Sequence, residues 1–331
     1  MVIDVHVQTV FVTGGSTGLG KEIAKAVAVL GEQTIVIIRN TAALIQDSGA
    51  HVTIFARRQQ PLDEAKVEIL DARAHDGQEV NVVSVDLSDA VDEAFRAQPR
   101  LPDIVYCSAG GCPTQCGFLK DISPQDLESC MRNNYFTAAY PSQAILRIWT
   151  ESDKKVEGAK TQLHRRIVFI NSVGALLGLP GYTAYTPSKT AVRALADTLR
   201  MEVLQYSSAV AKYTIHCAFP SNIHTESFVE EQKHKPQLTK EMEGTAGDAA
   251  ALAKKLPSAK KVADYIVSQI DTSDFAICDS IESSALFANM VGPSPKRGFG
   301  VVDSLLGVLV QFIIWPLQRR QWDSMCRKHE G

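Results

Sequence analysis

Residues 7–21 read VQTVFVTGGSTGLGK, an apolar run that meets a glycine cluster and then a helical pattern. Val7–Thr13 is short, β-branched and centred on the apolar Val10–Val12, which predicts a buried strand; Leu19–Leu30 carries its apolar residues at helical spacing. The glycines therefore stand at a strand-to-helix junction. There Gly14 permits a sharp turn, Gly18 a close backbone approach, and Gly20 tight packing of the helix on the strand. Backbone N–H groups over Gly14, Ser16, Thr17, Gly18, Leu19 and Gly20, with the positive helix terminus, suit a pyrophosphate. The spacing departs from the usual dinucleotide fingerprint, since three residues separate Gly14 from Gly18. Without its flanks the cluster would serve equally as a structural turn.

Downstream, strands and helices alternate. Helical patterns are expected over 63–75, over 124–149 with Ser123 as cap and Pro124 in the first turn, over 188–206 and over 260–269. Strands are expected at 80–85, 103–107, 166–171, 214–219 and 275–278. The polar stretch 230–247 lacks a core stripe and reads as a mobile substrate loop, about 225–247 overall. This order predicts an α/β fold, a doubly wound, mostly parallel Rossmann-like sheet with helices on both faces, and argues against an all-β module or a helical membrane bundle.

Two segments compete for the second strand. Thr34–Ile38 ends in Arg39 and Asn40, whereas His51–Phe55 ends in Ala56, Arg57 and Arg58. The later one precedes the helix containing Leu62, Ala65 and Ile69 and is preferred. Neither ends in the carboxylate that would grip both hydroxyls of an NAD ribose. Arg57 and Arg58 suit a 2′-phosphate instead, which predicts NADPH. Asp86 and Leu87, after the strand at 80–85, are placed beside the adenine, although Asp86 serves equally as a helix cap. Ala109 and Gly110 let the backbone approach the dinucleotide.

The chain has 331 residues, 45% of them apolar, and a formal charge of -3, so nothing global points to a nucleic-acid partner. Its seven cysteines form no paired framework and suit a reducing compartment. No secretory leader is recognised at the first residues. Cys112 and Cys116 lack a second CxxC or a nearby His pair, so no metal is expected.

Carbonyl reduction needs a hydride on carbon and a proton on oxygen. Tyr185 can supply the proton, and Lys189, one helical turn on, is placed to favour the tyrosinate and to hold a ribose. Ser172 follows the strand at 166–171 and can hydrogen-bond the substrate oxygen. Asn134 can anchor a water for proton return. Each has a plain alternative, as strand terminator, cap or solvated pair; their conjunction with the glycine loop carries the case.

With TGGSTGLG at 13–20, SAG at 108–110, Asn134, Ser172 and YTPSK at 185–189, the chain resembles the short-chain dehydrogenase/reductase family over residues 7–280. That resemblance implies a tetrad of Asn134, Ser172, Tyr185 and Lys189, and nicotinamide contacts at Pro220, Ile223 and Thr225. GAHVTIFARR, NNYFTAAYPSQA and GLPGYTAYTPSKTAVRALADTLRME are similar to the 3-ketodihydrosphingosine reductase branch of the family. This implies NADPH-dependent reduction of a long-chain 3-ketosphingoid base at the endoplasmic-reticulum membrane, with the catalytic domain facing the cytoplasm and a homo-oligomer among its assemblies. Residues 32–48 are extra relative to that branch. They read either as a surface insertion or as a translated, unspliced intron.

Residues 1–290 are expected to form the reductase domain and 291–331 a membrane-association tail. Leu305–Leu317 is apolar around its circumference but, at about 20 Å, short of the hydrocarbon core; extending it upstream through Val301 admits Asp303 and leaves a single span open as a weaker reading. Trp315 and the cations Arg319, Arg320, Arg327 and Lys328 suit an interface. A buried contact helix is the competing reading of the tail. For the whole chain, a reductase of another carbonyl compound and a non-catalytic nucleotide-binding scaffold remain open.

Overall fold

The computed structural model describes residues 8–30, 35–38, 41–44, 49–156, 161–272, 274–290 and 296–328. Its strands are β1 (Thr9–Thr13), β2 (Ile35–Ile38), β3 (Thr41–Leu44), β4 (His51–Ala56), β5 (Val80–Ser84), β6 (Ile104–Cys107), β7 (Leu163–Ile170), β8 (Ala211–Ala218) and β9 (Ala276–Ile277). Seven of them form one sheet in the order β5-β4-β1-β6-β7-β8-β9, every pairing parallel. The helices are α1 (Gly18–Leu30), α2 (Gln59–Ala72), α3 (Val91–Arg96), α4 (Pro124–Met131), α5 (Thr137–Asp153), α6 (Tyr185–Glu202), α7 (Glu226–His234), α8 (Gln237–Met242), α9 (Ala249–Lys255), α10 (Ala259–Gln269), α11 (Ile281–Met290), α12 (Val301–Leu309) and α13 (Trp315–Lys328). This is the doubly wound sheet that the alternation of elements predicts.

Strand periodicity splits the core in two. Val10, Val12 and Ile54 turn to one face, against Ile23, Ala24 and Val27 of α1, Leu62 and Ile69 of α2, and Val262 and Ile266 of α10. Phe11 and Phe55 turn to the other and meet Phe95 of α3, with ring centroids 4.9–5.3 Å apart. Each fully buried ring stabilises the fold by about 1.5–3 kcal/mol, and edge-on pairing adds about 1 kcal/mol. The same face receives α5 and α6 through Ile145, Trp149, Val192 and Leu199.

The competition for the second strand is decided by register: β4 pairs with β1 from Thr9↔His51 to Thr13↔Phe55. β2 instead pairs antiparallel with β3, outside the main sheet. Ala50 N–H donates to Val27 O at 3.1 Å, so the chain rejoins the fold beside the helix it left. The rest of segment 32–48, with Arg39 and Asn40, lies outside the described residues.

One expected helix and one expected loop differ in detail. The helix expected over 124–149 starts on a capping box, Ser123 with Asp126, but is broken by a π-turn at Arg132–Phe136. The stretch expected as a polar loop, 225–247, contains α7 and α8. Beside the buried Phe228 and Leu238 its anchors are polar: Lys235, fully buried, pairs with Glu231 and Glu243 at 2.8 and 2.6 Å, and Thr239 Oγ1 donates to Pro180 O at 2.6 Å. A search for apolar stripes does not register such anchors.

Candidate active site

The carboxyl ends of β1, β4, β6, β7 and β8 open into one cleft of about 1570 Å³. Its nucleotide end is built by the first turn. Gly14 has φ +68°, and a side chain there would place Cβ 2.6 Å from Ala109 Cα. Gly18 has φ +55° and faces open space, with Thr225 Cγ2 the nearest atom at 3.7 Å from a would-be Cβ. Both positions demand glycine, one for packing and one for approach.

Ser16, Thr17, Leu19, Gly20, Arg57, Arg58, Asp86, Leu87, Ala109 and Gly110 line the same cleft, as do Pro220, Ile223 and Thr225. Arg57 and Arg58 are exposed at the end of β4. Asp86 Oδ1 accepts from Ser88 N–H at 2.9 Å and Ser88 Oγ at 2.7 Å, which holds its carboxyl below the usual range. Thr225 Oγ1 accepts from Phe228 N–H at 3.1 Å and so caps α7. A glycine cradle, a pair of exposed arginines and a carboxylate arrayed across three strand ends fit a phosphorylated dinucleotide.

At the other end, Ser172 closes β7 and Tyr185 opens α6. Their hydroxyls are hydrogen-bonded, and Ser172 Oγ also accepts from Gly174 N–H at 3.0 Å. Lys189 is buried; its ammonium donates to Ile170 O at 3.2 Å and stands 5.8 Å from the Tyr185 ring centroid. Burial pulls Lys189 down to about 8. Burial also pushes the Tyr185 phenol well above its usual range, helped by Cys112 and Glu231 and opposed by Ser172. Desolvation dominates and keeps the proton on oxygen, the state a proton donor needs.

Asn134 departs from its expected role. Its amide is buried and spent on backbone: Oδ1 accepts from Gly111 N–H at 2.8 Å, and Nδ2 donates to Cys130 O at 2.9 Å and Gly111 O at 3.0 Å. It clamps the loop after β6 to the π-turn instead of turning its amide to a water. The clamp still touches the site. A Cβ on Gly110 would lie 2.7 Å from Asn134 Oδ1 and 3.2 Å from Lys189 Nζ, so all three groups converge there. π-turns within helices recur at functional sites because they re-aim side chains and free carbonyls.

Some groups were not anticipated. Tyr182 donates to Glu231 Oε1 at 2.6 Å, with its ring centroid 5.5 Å from that of Tyr185. Glu231 also lies 3.6 Å from Cys112 Sγ, itself 3.6 Å from Cys116 Sγ. The three donors lie within 4.8 Å of one another, a closeness that no short sequence motif encodes. Burial raises Cys112 well above its usual range, and Lys235 and Tyr182 both engage Glu231. The signal that was available is Glu231 with Lys235, an i,i+4 pair in helix-favouring orientation following Thr225 as cap.

Beyond the cleft, the described tail helix is longer than Leu305–Leu317. Residues Val301–Trp322 form a 22-residue helix whose most apolar 18-residue stretch has mean hydropathy 1.6, long and apolar enough to cross a membrane by length and composition. Leu305, Phe312 and Leu317 are 68%, 74% and 64% exposed, while Trp322 lines the cleft. The side chains of Arg319, Arg327 and Lys328 lie outside the described residues.

A model of the short chain dehydrogenase family matches residues 37–236. The PIGF/3-ketodihydrosphingosine reductase fusion protein of Schizosaccharomyces pombe is 31% identical over 322 residues, covering 97% of this chain and 57% of that protein. The 3-ketodihydrosphingosine reductase ksrA of Aspergillus fumigatus is 31% identical over 325 residues, covering 92% and 80%. The 3-dehydrosphinganine reductase of Danio rerio is 30% identical over 332 residues, covering 96% and 85%. Among solved structures, levodione reductase superposes with TM-score 0.64 at 19% identity, over 84% of this chain and 98% of that one. A short-chain dehydrogenase from Sphingobium yanoikuyae in complex with NADPH gives 0.62 at 19% identity, over 86% and 93%.

Proposed function

This chain belongs to the short-chain dehydrogenase family, and on that footing we propose that it reduces a long-chain 3-ketosphingoid base, 3-ketosphinganine, to sphinganine with NADPH. The observation that carries the reaction type is the convergence of Ser172, Tyr185 and Lys189 at the end of one cleft whose other end is the glycine turn. The substrate class is supported by the relatives from fungi and fish, which bear that activity in their names. Arg57 and Arg58 support the 2′-phosphate form of the cofactor.

The dinucleotide, when bound, supplies a hydride to the carbonyl carbon. The chain's own residues do the rest. Ser172 and Tyr185 hydroxyls orient the carbonyl oxygen, and the Tyr185 O–H proton passes to it as the C=O π pair moves onto oxygen. Lys189 holds its ammonium beside the phenol to bind the ribose and return a proton. Asn134 acts as a positioning residue, through Gly111 and the π-turn.

The exposed apolar face of α12 and α13, with Trp322 at the cleft, supports delivery of a lipid from a membrane surface, which we assign to the endoplasmic reticulum with the catalytic domain on the cytoplasmic side. The test is purified protein with NADPH and 3-ketosphinganine in detergent, followed by detection of sphinganine. Loss of turnover in Tyr185→Phe by about 10²–10⁴-fold, with NADPH affinity kept, is expected. Absence of sphinganine from folded protein that binds NADPH would sink the proposal.

A further inference from the structure

Glu231 lines the same cleft as Tyr185, and its two oxygens are used unequally. Oε1 accepts from Tyr182 O–H at 2.6 Å and from Lys235 Nζ at 2.8 Å. Oε2 faces the Cys112 thiol at 3.6 Å, a weak donor at long range. The side chain retains 15% exposure, in the cleft, whereas Lys235 has none. Lys235 is in addition drawn to Glu243 at 2.6 Å, so one ammonium is shared between two carboxylates. A carboxylate with one oxygen held only by a long thiol contact, in a pocket where the local cation is shared between two carboxylates, favours a second cationic donor.

We infer that Glu231 Oε2 receives the ammonium group of the substrate, on the carbon next to the carbonyl that Tyr185 protonates. The inference rests on the proposed reduction of an amino ketone. In such a ketone the nitrogen lies roughly 3 Å from the carbonyl oxygen, as in a peptide unit, so a carboxylate near Tyr185 is within reach of it. The placement agrees: the Tyr182 ring that holds Glu231 lies 5.5 Å from the Tyr185 ring, and Glu231 contributes to raising the Tyr185 phenol. Glu231 thus acts as the residue that selects amino ketones over neutral ketones. Tyr182 positions it.

The test compares a long-chain 3-keto-2-amino-1-alcohol with the same chain lacking the amine, in the full-length enzyme with NADPH. Glu231→Gln keeps the shape and the acceptor for Tyr182 and should lower kcat/KM for the amino ketone by about 10–100-fold, through KM, with less than about 3-fold change for the des-amino ketone. Tyr182→Phe should move the same ratio by about 3–10-fold, and it carries the test should Glu231→Gln melt early. Equal losses on both substrates, with NADPH affinity and Tm intact, would overturn the inference and leave the proposed reduction standing. Loss of the preference on treatment with a zinc chelator would assign Glu231 to a metal ion with Cys112 and Cys116, and would overturn it too. Failure of the wild-type enzyme to turn over the amino ketone would overturn both.

Discussion

Replacing Lys189 by Met should make the apoprotein more stable at pH 7 while removing its turnover. Lys189 is 5% exposed, and among the described residues it has a carbonyl, that of Ile170 at 3.2 Å, and no ion-pair partner. Burial pulls it from 10.5 to about 8, which corresponds to about 3 kcal/mol of penalty on the charged form. Met fills similar volume, but leaves the Ile170 carbonyl without that donor at about 1 kcal/mol. The net gain is about 2 kcal/mol, or about 3 °C in Tm for a chain of this size. The pH dependence supplies the sharper reading. Between about 8 and 10.5 the unfolded chain holds the Lys189 proton and the folded one does not, so wild-type stability gains with rising pH across that window. The advantage of Lys189→Met is thus full below pH 8 and closes toward pH 10. Calorimetry of both proteins at pH 7 and pH 10 reads this directly. A Met variant less stable than wild type at pH 7, or a gap that ignores pH, would refute the reasoning.

Two other measurements follow from the same cleft. Since the protonated Lys189 is the form that binds and relays, kcat/KM for reduction should decline as pH rises through about 8; a profile flat to pH 10 would count against this role. Arg57→Ala with Arg58→Ala should lower kcat/KM with NADPH by about 10–100-fold and leave that with NADH nearly unchanged, and equal losses with both cofactors would remove the 2′-phosphate assignment.

The fold was legible because its two periods are strong. Val7–Thr13 and Leu19–Leu30 differ so clearly in patterning that the glycines between them could be placed on a junction, and the parallel order followed from alternation. Ser172, Tyr185 and Lys189 were legible as a spacing along one strand end and one helix turn. What escaped lay in tertiary electrostatics. Burial raises the Tyr185 phenol, and burial is a property of the packed cleft. Asn134 was found, but its amide partners, Gly111 and Cys130, depend on a π-turn that no propensity scale encodes. The segment after Thr225 was read as a loop since its anchors are a buried lysine and carboxylates, residue types that pattern-reading assigns to solvent.

The tail invites a last prediction, that it lies along a membrane surface instead of crossing one. A crossing helix exposes its whole circumference to lipid, and this one does not. Asp303 is 1% exposed and paired with Arg297, Gly307 packs so closely that a Cβ would lie 3.2 Å from Ala288 O, and Val310 is 2% exposed. Detaching α12 from α11 would uncover Val310 and break the hydrogen bond from Arg297 to Ser284 Oγ, whereas leaving it docked already presents Leu305, Phe312 and Leu317 outward. At about 33 Å its 22 residues have the length to span, but one side is committed to the domain. An in-plane helix also keeps Trp322 at the cleft, so a lipid leaving the membrane meets the site without crossing water. Glu at Leu305, Phe312 and Leu317 should release the protein from membranes with Tm little changed, because these side chains touch solvent or lipid and not the core. A C-terminal epitope should be cleaved by protease from the same side as the catalytic domain. Protection of that epitope in sealed vesicles would show that the helix crosses, and that the docking to α11 gives way in the membrane.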